Sequence, residues 1–497
     1  MDLFANALMS VLSPSSFFLL IGGVGLGIIF GAIPGLTATM AVALLVPFTY
    51  SMAPAQGIVA LVGVYVGGIY GGSISACLVN IPGTPASMLT TIDGYPMGQR
   101  GEAGKAIGYA TVSSFVGGIV SGIILIVFAG QVAKIAYKFG PAEYFSIAFF
   151  GLSLICAVSG GNLLKGLISA IIGLMIKCVG MDPVTSVSRY VFGYTSLLGG
   201  FTFIPVMIGL FGMREFLIQV STGRYRFQVE QRVGKILPSL KELLHEKWIM
   251  LRSGLIGTFI GILPGAGGPI AAFLSYECTR RLSKHPETFG KGEPDGLCSS
   301  EAANNGVTGG AIIPMLTLGV PGDSVTAIML GAFMVHNITP GPNLFTNSPD
   351  LIYAIYLGFI IANVLMLIYG LFGAKVFAKI LNVPMGILLP CVAVLTVIGG
   401  YSIRNSLFDV RLVVLFGLLG YVMSCFDFPI VPMVLGLVLG QLCEANLRSA
   451  LVISKGSWWI FFEHPIACVF TVLGLIMLIS PLIAKILVKA VDRKKNS

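Results

Sequence analysis

Charged side chains are scarce in this sequence, and their scarcity excludes several classes of protein. Asp, Glu, Lys and Arg together make up 10% of the 497 residues, whereas soluble globular proteins contain roughly 25%. Residues 3–92 contain no charged side chain at all. Such a stretch would aggregate in water, so the chain is neither a soluble enzyme nor a disordered scaffold. Nucleic-acid binding is also excluded, because it requires dense Lys and Arg.

Cysteine pairs and catalytic motifs are also missing. The nine cysteines are scattered singly, without a Cys-x-x-Cys pair, so neither a disulfide framework nor a zinc site is indicated. The sequence has no Gly-x4-Gly-Lys-Ser/Thr phosphate loop, and His245-Glu246 lacks the second His of a zinc-protease helix. We therefore expect no enzymatic activity and no cofactor.

Apolar residues dominate what is present. They form 56% of the chain, its mean hydropathy is +0.92, and long uncharged runs recur along it. A helix that spans a lipid bilayer needs about 20 mostly apolar residues. The sequence therefore predicts an all-α polytopic membrane protein with about eleven transmembrane helices.

Two Pro-Gly elements recur in the second half of the sequence. Pro34-Gly35 matches Pro264-Gly265 at an offset of 230 residues, and Pro82-Gly83 matches Pro321-Gly322 at an offset of 239 residues. Glycines at equal spacing precede both members of the first pair: Gly27, Gly31, Gly257 and Gly261. Their recurrence in the same order indicates that the two halves arose by duplication.

Charge in the loops indicates that the two repeats have opposite orientations. After the first Pro-Gly element the loop of the first half is uncharged, whereas the second half carries Arg280, Arg281, Lys284 and Lys291. After the second element the first half carries Arg100 and Lys105, whereas residues 336–349 carry no Lys or Arg. Since basic loops stay in the cytoplasm, the sequence predicts an inverted-topology repeat.

The same reasoning predicts two re-entrant hairpins. Residues 253–276 begin and end beside basic cytoplasmic segments but are too few to cross twice. Pro264-Gly265 is therefore expected at the tip of one hairpin and Pro34-Gly35 at the tip of the other. The expected organisation is a first transmembrane repeat, a basic cytoplasmic linker with an amphipathic segment, a second transmembrane repeat and a basic cytoplasmic tail: residues 1–213, 214–252, 253–484 and 485–497.

Helix breaks at membrane depth indicate transport. Proline removes a backbone donor, and lipid offers the freed backbone no partner. Freed N–H groups and helix N-termini suit an anion, whereas freed carbonyls and helix C-termini suit Na⁺ or H⁺. We expect the substrate site at the breaks, formed by Pro34, Gly35, Thr37, Thr39, Asn80, Pro82, Gly83, Thr84, Ser87, Pro264, Gly265, Gly267, Pro321, Gly322 and Ser324. The expected coupling-ion residues are Asp323, Asn304, Asn305 and Thr326.

Asp323 is the only charged residue between residues 302 and 349. A carboxylate inside a membrane is costly and usually pairs with a cation or a proton, which favours a coupling-ion role over a salt bridge or a helix N-cap. Glu301 is expected either to take part in function or to lie at the membrane interface. His336 is expected to cap a helix end rather than to relay protons.

The motifs resemble the large membrane subunit of the tripartite tricarboxylate transporters, the TctA-type family. The matching segments are GAIPGLTATMAVALLVPFTY, YGGSISACLVNIPGTPASMLTTIDGYPMGQRGEAGKAIG, GILPGAGGPIAAFLSYECTRRLSK and EAANNGVTGGAIIPMLTLGVPGDSVTAIMLGAF. The resemblance implies a multi-pass secondary transporter of the bacterial inner membrane, and the basic tail predicts that the C-terminus lies in the cytoplasm. It also implies two partners, a small membrane subunit of about four helices and a periplasmic solute-binding protein.

The predicted function is import of small di- or tricarboxylates such as citrate, driven by a gradient of Na⁺ or H⁺ as co-substrate. The alternatives are a passive anion channel and an ion-coupled transporter of another small organic solute. The four break segments contain no Arg or Lys for bidentate binding of a carboxylate. Either backbone N–H groups and hydroxyls suffice, or Na⁺ ions screen the charge, or a basic residue such as Lys177 or Arg404 arrives from another helix.

Overall fold

Helices make up almost all of the regular structure in the computed structural model, which describes residues 2–154, 162–182, 184–223 and 233–495. The strands within these ranges are Gly180–Met181 (β1) and Ser188–Arg189 (β2), which pair antiparallel with Gly180 opposite Arg189. The predicted all-α class is therefore confirmed.

The α-helices form most of the described part of the chain. In the first part of the chain they are α1 (Asp2–Leu12), α2 (Pro14–Ala32), α3 (Ala38–Thr49), α4 (Pro54–Val79), α5 (Met88–Met97), α6 (Ala103–Ala136), α7 (Pro141–Ser153), α8 (Leu163–Lys177), α9 (Phe203–Met207) and α10 (Arg214–Thr222). A 3₁₀-helix (Pro85–Ser87) precedes α5, and π-helical segments join α5 to α6 (Gly98–Glu102) and α9 to α10 (Ile208–Met213).

The second part of the chain continues in the same way. Its α-helices are α11 (Leu240–Ile262), α12 (Gly267–Leu282), α13 (Pro294–Leu318), α14 (Ser324–Val335), α15 (Leu344–Asn347), α16 (Pro349–Phe372), α17 (Ala374–Ile380), α18 (Met385–Ser402), α19 (Leu407–Cys425), α20 (Ile430–Ile453), α21 (Ile460–Glu463) and α22 (Pro465–Lys495).

Many of these helices are long and apolar enough to cross a membrane. Among the described residues eight helical segments qualify by length and composition: Pro14–Ala32, Pro54–Val79, Pro85–Ala136, Phe203–Thr222, Pro349–Phe372, Met385–Ser402, Leu407–Cys425 and Ile430–Ile453. Three shorter helices are also apolar: Ala38–Thr49, Ser324–Val335 and Pro465–Ser480. The chain is thus a multi-pass membrane protein. The expected number of about eleven crossings and the two re-entrant hairpins stay predictions.

Helices extend across the predicted limits of the linker at residues 214–252. The helical segment Phe203–Thr222 continues past residue 213, and α11 begins at Leu240, before residue 253. Residues 224–232 of the linker lie outside the described residues, as do the side chains of the predicted tail. The four-part division of the chain, and the cytoplasmic position of linker and tail, stay predictions.

Contacts divide the chain into two compact units. The first unit comprises Met1–Ala133 and Phe203–Tyr421, and the second unit comprises Lys134–Thr202 and Val422–Ser497. Each unit therefore takes residues from both halves of the sequence. All four Pro-Gly elements belong to the first unit.

In the second unit, ion pairs connect the short hairpin of β1 and β2 to α20. Arg448 Nη1 donates to Asp182 Oδ2 at 2.6 Å, and Arg189 Nη1 donates to Glu444 Oε1 at 2.6 Å. The hydrogen bond from Arg448, followed by two backbone N–H groups, holds the pKa of Asp182 well below its usual range. Asp182 therefore remains ionised and keeps its bond to Arg448.

In the first unit two helix pairs pack with their backbones in close contact, α2 along α4 and α11 along α13. A Cβ on Gly27 would collide with the carbonyl of Val64, and a Cβ on Gly257 would collide with that of Ala303. These contacts are equivalent, because the glycines lie 230 residues apart and their partners 239 residues apart. Three more contacts of the first pair recur in the second pair at the same offsets. The contact Gly31–Gly68 corresponds to Gly261–Val307, Gly67–Val24 corresponds to Gly306–Gly254, and Gly71–Ile28 corresponds to Gly310–Thr258. Glycine at these positions permits the short distance between the helices.

Replacement of Gly31 by alanine tests this packing. The added Cβ would overlap the carbonyl of Gly68 and lie 3.1 Å from the Cα of Gly71, so α2 and α4 must separate. We expect Gly31→Ala to lose about 1–3 kcal/mol of stability, measured as a lower midpoint of thermal unfolding in detergent. Gly22→Ala on the same helix is the control, because no described atom lies within 4 Å of its Cβ position. Equal midpoints for the two variants would contradict the packing argument.

Candidate functional site

Each Pro-Gly element lies in a non-helical break between two helices of the first unit. Break 1 (residues 33–37) follows α2, break 2 (residues 80–84) follows α4, break 3 (residues 263–266) follows α11 and break 4 (residues 319–323) follows α13. Left-handed residues stand at equivalent positions, Gly35 (φ +92°) with Gly265 (φ +77°) and Asn80 (φ +57°) with Gly319 (φ +68°). Glycine and asparagine tolerate this conformation, so the local sequence explains why each helix ends there.

In break 4 the side chain of Asp323 caps α14. Its Oδ1 accepts from the backbone N–H of Thr326 at 2.8 Å and from Thr326 Oγ1 at 2.7 Å. Its Oδ2 accepts from the hydroxyl of Tyr65 at 2.6 Å. Asp323 is 8% exposed, and no basic side chain among the described residues forms an ion pair with it. Asp323 is thus an N-cap, held by neutral donors alone; Tyr65, Asp323, Ser324 and Thr326 are called the Asp323 cradle.

In break 2 Thr84 and Ser87 occupy the positions equivalent to Asp323 and Thr326, 239 residues earlier. Their hydroxyl oxygens lie 2.8 Å apart, and both residues are buried. Thr84 is the N-cap residue of the 3₁₀-helix, but its side chain accepts no capping hydrogen bond from the described residues. A neutral hydroxyl therefore stands where the second half of the sequence has a carboxylate.

Asn304 lies on α13 beside this break, 239 residues after Tyr65. It is 1% exposed, and neither Oδ1 nor Nδ2 has a hydrogen-bond partner among the described residues. A Cβ on Gly268, in the first turn of α12, would lie 2.7 Å from Asn304 Oδ1 and 2.8 Å from the Cβ of Ala86. The amide is therefore packed between α12 and the 3₁₀-helix. Thr84, Ser87, Gly268 and Asn304 are called the Asn304 cradle.

Contacts connect the four breaks, either directly or through the helices that follow them. The N–H of Gly265 in break 3 donates to the carbonyl of Gly322 in break 4 at 2.8 Å. Thr39 Oγ1 on α3 lies 3.0 Å from Ser324 Oγ on α14, which links the helices after breaks 1 and 4. A Cβ on Gly267 would lie 3.9 Å from the Cβ of Asp323. The start of α12 therefore touches both cradles.

The helices that follow breaks 1 and 3 differ in their caps. Thr37 caps α3, because its Oγ1 accepts from the backbone N–H of Met40 at 3.2 Å. The residue 230 positions later is Gly267, which begins α12, and none of the described side chains caps that helix. The N–H groups of Gly267, Gly268 and Ile270 at the start of α12 thus lack a side-chain acceptor of the kind that Met40 has in α3, and Pro269 has no N–H.

The predicted coupling-ion residues do not form a single cluster. Thr326 contacts Asp323 directly, and Asn304 lies in the other cradle. Asn305 Nδ2 donates to Ser114 Oγ at 2.8 Å, and Ser114 in turn donates to Glu301 Oε2 at 2.9 Å. Glu301 is fully buried and also accepts from the Thr90 hydroxyl, so Asn305 belongs to a separate polar group.

The other predicted site residues are distributed among the breaks as follows. Asn80 is exposed and Pro82 half-buried, whereas Pro34, Gly83, Pro264, Gly265, Pro321 and Gly322 are buried. Arg404, one of the two basic residues considered for anion binding, donates through Nε and Nη2 to Asp409 at 2.8 and 2.6 Å. Lys177 is the other basic residue considered for anion binding, and it belongs to the second unit. His336 is the C-cap residue of α14, as expected.

Sequence reasoning missed two residues near the breaks, Tyr65 and Glu215. Tyr65 donates to Asp323, although 258 residues separate them. Its signal was present, because an offset of 239 residues pairs Tyr65 with the predicted Asn304. Glu215 Oε1 would lie 3.2 Å from a Cβ on Gly35 and accepts from Gln219 Nε2 at 2.8 Å. Nothing in the sequence near break 1 indicates this second contact.

Comparison with known proteins places the sequence in a recognised group. A family model described as the tripartite tricarboxylate transporter TctA family matches residues 17–435. An uncharacterized 52.8 kDa protein in the TAR-I ttuC' 3' region of Agrobacterium vitis is 35% identical over 489 residues, which cover 98% of this chain and 97% of the relative. An uncharacterized protein in the TAR-II ttuC' 3' region of the same organism is 40% identical over 230 residues, which cover 46% of this chain and 95% of the relative. No solved structure matches.

Removal of the Tyr65 hydroxyl tests the Asp323 cradle. Tyr65→Phe leaves Asp323 Oδ2 without its donor in a buried place, and a hydrogen bond to a charged group contributes about 1.5–3 kcal/mol. We expect a correspondingly lower midpoint of thermal unfolding in detergent. Tyr50→Phe is the control, because Tyr50 is 58% exposed. A Tyr65→Phe midpoint equal to that of the control would show that the bond does not stabilise the cradle.

Proposed function

Because this chain belongs to the tripartite tricarboxylate transporter TctA family, we propose that it imports small di- or tricarboxylates such as citrate, driven by a gradient of Na⁺ or H⁺. The family makes it the large subunit of a tripartite transporter, and its helices make it a multi-pass membrane protein. The proposed partners are a small membrane subunit of about four helices and a periplasmic solute-binding protein. The proposed location is the bacterial inner membrane, with the C-terminus in the cytoplasm.

The observation that carries the proposal is the burial of Asp323, in one of four interrupted helices, against two others: Tyr65 on α4 donates to it, and a Cβ on Gly267 at the start of α12 would lie 3.9 Å from its Cβ. Backbone at membrane depth that leaves the helical conformation must be satisfied by protein, water or ligand. Here Gly265 and Gly322 satisfy one another in part, while the first turn of α12 keeps donors without a side-chain cap. Broken helices of this kind surround the solute and ion sites of secondary transporters.

Asp323 is the proposed ligand of the coupling ion. Its carboxylate is buried among neutral donors and has no basic partner in the described part of the chain. An isolated negative charge in a membrane protein is strongly disfavoured, so a proton or Na⁺ on Asp323 lowers the cost of burying it. Thr326 and Ser324 lie within the same cradle and offer further oxygen atoms to a cation.

Transport by the complete system tests the proposed function. Liposomes that contain this chain with its two partner subunits are expected to accumulate labelled citrate only when an inward gradient of Na⁺ or H⁺ is imposed. Uptake that is indifferent to both gradients would contradict ion coupling. Unitary currents without concentrative uptake would instead identify a passive anion channel, and accumulation of another organic solute alone would replace the carboxylate substrate.

Neutralisation of Asp323 tests the ion site within that system. Asp323→Asn keeps the side-chain volume but removes the charge that attracts a cation. We expect the half-saturating concentration of the coupling ion to rise about tenfold or more, since about 1.4 kcal/mol corresponds to that factor. Asp350→Asn is the matched control, because Asp350 is exposed at the start of α16. Unchanged ion dependence in Asp323→Asn, with normal insertion, would assign Asp323 a purely structural role.

A further inference from the structure

The two cradles are equivalent by sequence offset but differ in chemistry. Positions 65, 323 and 326 of the Asp323 cradle correspond to positions 304, 84 and 87 of the Asn304 cradle, each pair 239 residues apart. In the first cradle a protein carboxylate accepts hydrogen bonds from Tyr65 and Thr326. In the second cradle no described side chain supplies a carboxylate to the corresponding donors.

Three features of the Asn304 cradle suit an anionic group. Asn304 Nδ2 is a buried donor without a partner among the described residues. The hydroxyls of Thr84 and Ser87 bond to one another, which leaves one hydroxyl hydrogen for an external acceptor. The first turn of α12, a helix of 16 residues, is capped by no described side chain and carries the positive end of the helix dipole. Asn304 and Ala86 both pack against Gly268 in the first turn of α12, and Ala86 lies between Thr84 and Ser87 in the chain. Three separate elements therefore meet at Gly268.

We propose that Asn304, Thr84 and Ser87, together with the first turn of α12, bind one carboxylate group of the transported anion. The substrate carboxylate takes the place that corresponds to the carboxylate of Asp323 in the other cradle. This assignment rests on the proposed function, and it makes Asn304 a substrate residue rather than a ligand of the coupling ion. All the proposed donors to the carboxylate are neutral, so no Arg or Lys takes part in its binding.

The arrangement also accounts for coupling between substrate and ion. Gly267 begins α12 beside the Asn304 cradle, and its Cβ position lies 3.9 Å from the Cβ of Asp323. A substrate carboxylate at the start of α12 and the carboxylate of Asp323 beside it repel each other unless a cation or a proton neutralises one of them. Binding of the coupling ion at Asp323 therefore favours binding of the substrate carboxylate, and the reverse holds by linkage.

Replacement of Asn304 tests the assignment in liposomes that contain the full three-protein system. Loss of a hydrogen bond to a charged group corresponds to about a tenfold or larger change in affinity. We expect Asn304→Ala to raise the KM for labelled citrate by that factor, while the half-saturating concentration of the coupling ion, measured at saturating citrate, stays as in the unmodified chain. Asn363→Ala is the control, because Asn363 is a fully buried amide on α16, away from the breaks.

Gly268→Ala tests the same assignment by steric crowding if Asn304→Ala fails to fold. Gly268→Ala would place a Cβ 2.7 Å from Asn304 Oδ1, which crowds the cradle but removes none of its polar groups. It is expected to raise the KM for citrate about tenfold or more, whereas Gly22→Ala on α2 is expected to leave it unchanged.

The outcomes separate this inference from the proposed function. A citrate KM unchanged in both cradle variants would overturn the inference and leave the proposed function intact. A shift in the half-saturating ion concentration without a shift in KM would assign Asn304 to the ion site, which also overturns it. Absence of citrate uptake by the unmodified chain would overturn the proposed function and this inference with it.

Discussion

The rest of the structure depends on one constraint, that backbone groups released from a helix inside a bilayer need polar partners. Lipid offers none, so four interruptions can persist only where protein or solute satisfies them. The first unit meets this requirement by bringing the breaks together: Gly265 donates to Gly322, and Thr39 contacts Ser324. The close glycine contacts between α2 and α4, and between α11 and α13, hold the helices that carry the breaks at the necessary distance.

The two halves keep the same packing positions but differ at the helix caps. Equivalent glycines meet equivalent carbonyls in both helix pairs, which accords with duplication of one ancestral segment. In contrast, Thr37 caps α3, whereas none of the described side chains caps α12 at the equivalent Gly267, and Asp323 stands where the first half has Thr84. A cap is a local feature that changes with one substitution, so equivalent positions of the two halves can form chemically different sites.

Sequence reasoning located the breaks because proline and glycine act locally. Pro-Gly at Pro82 and Pro321 interrupts a helix through its local backbone geometry. The sequence favoured a coupling-ion role of Asp323 over an N-cap, whereas the structure shows that Asp323 caps α14. Contacts between distant segments were not predictable in this way, as the bond from Tyr65 to Asp323 shows. The sequence also placed Asn304 and Asn305 in one ion site, although they are adjacent residues of a helix. Their side chains point about 100° apart around the helix axis, so they belong to different polar groups.

The proposed coupling follows from the same geometry and requires no new contact. The N-terminus of α12 lies between a fixed carboxylate, Asp323, and the proposed position of the substrate carboxylate. Charge interactions are stronger in the protein interior than in water, because the effective dielectric constant is lower. A cation at Asp323 thus changes the free energy of the anion site without any movement of the backbone. In the proposed scheme an anion beside α12 raises, by linkage, the affinity of Asp323 for its cation.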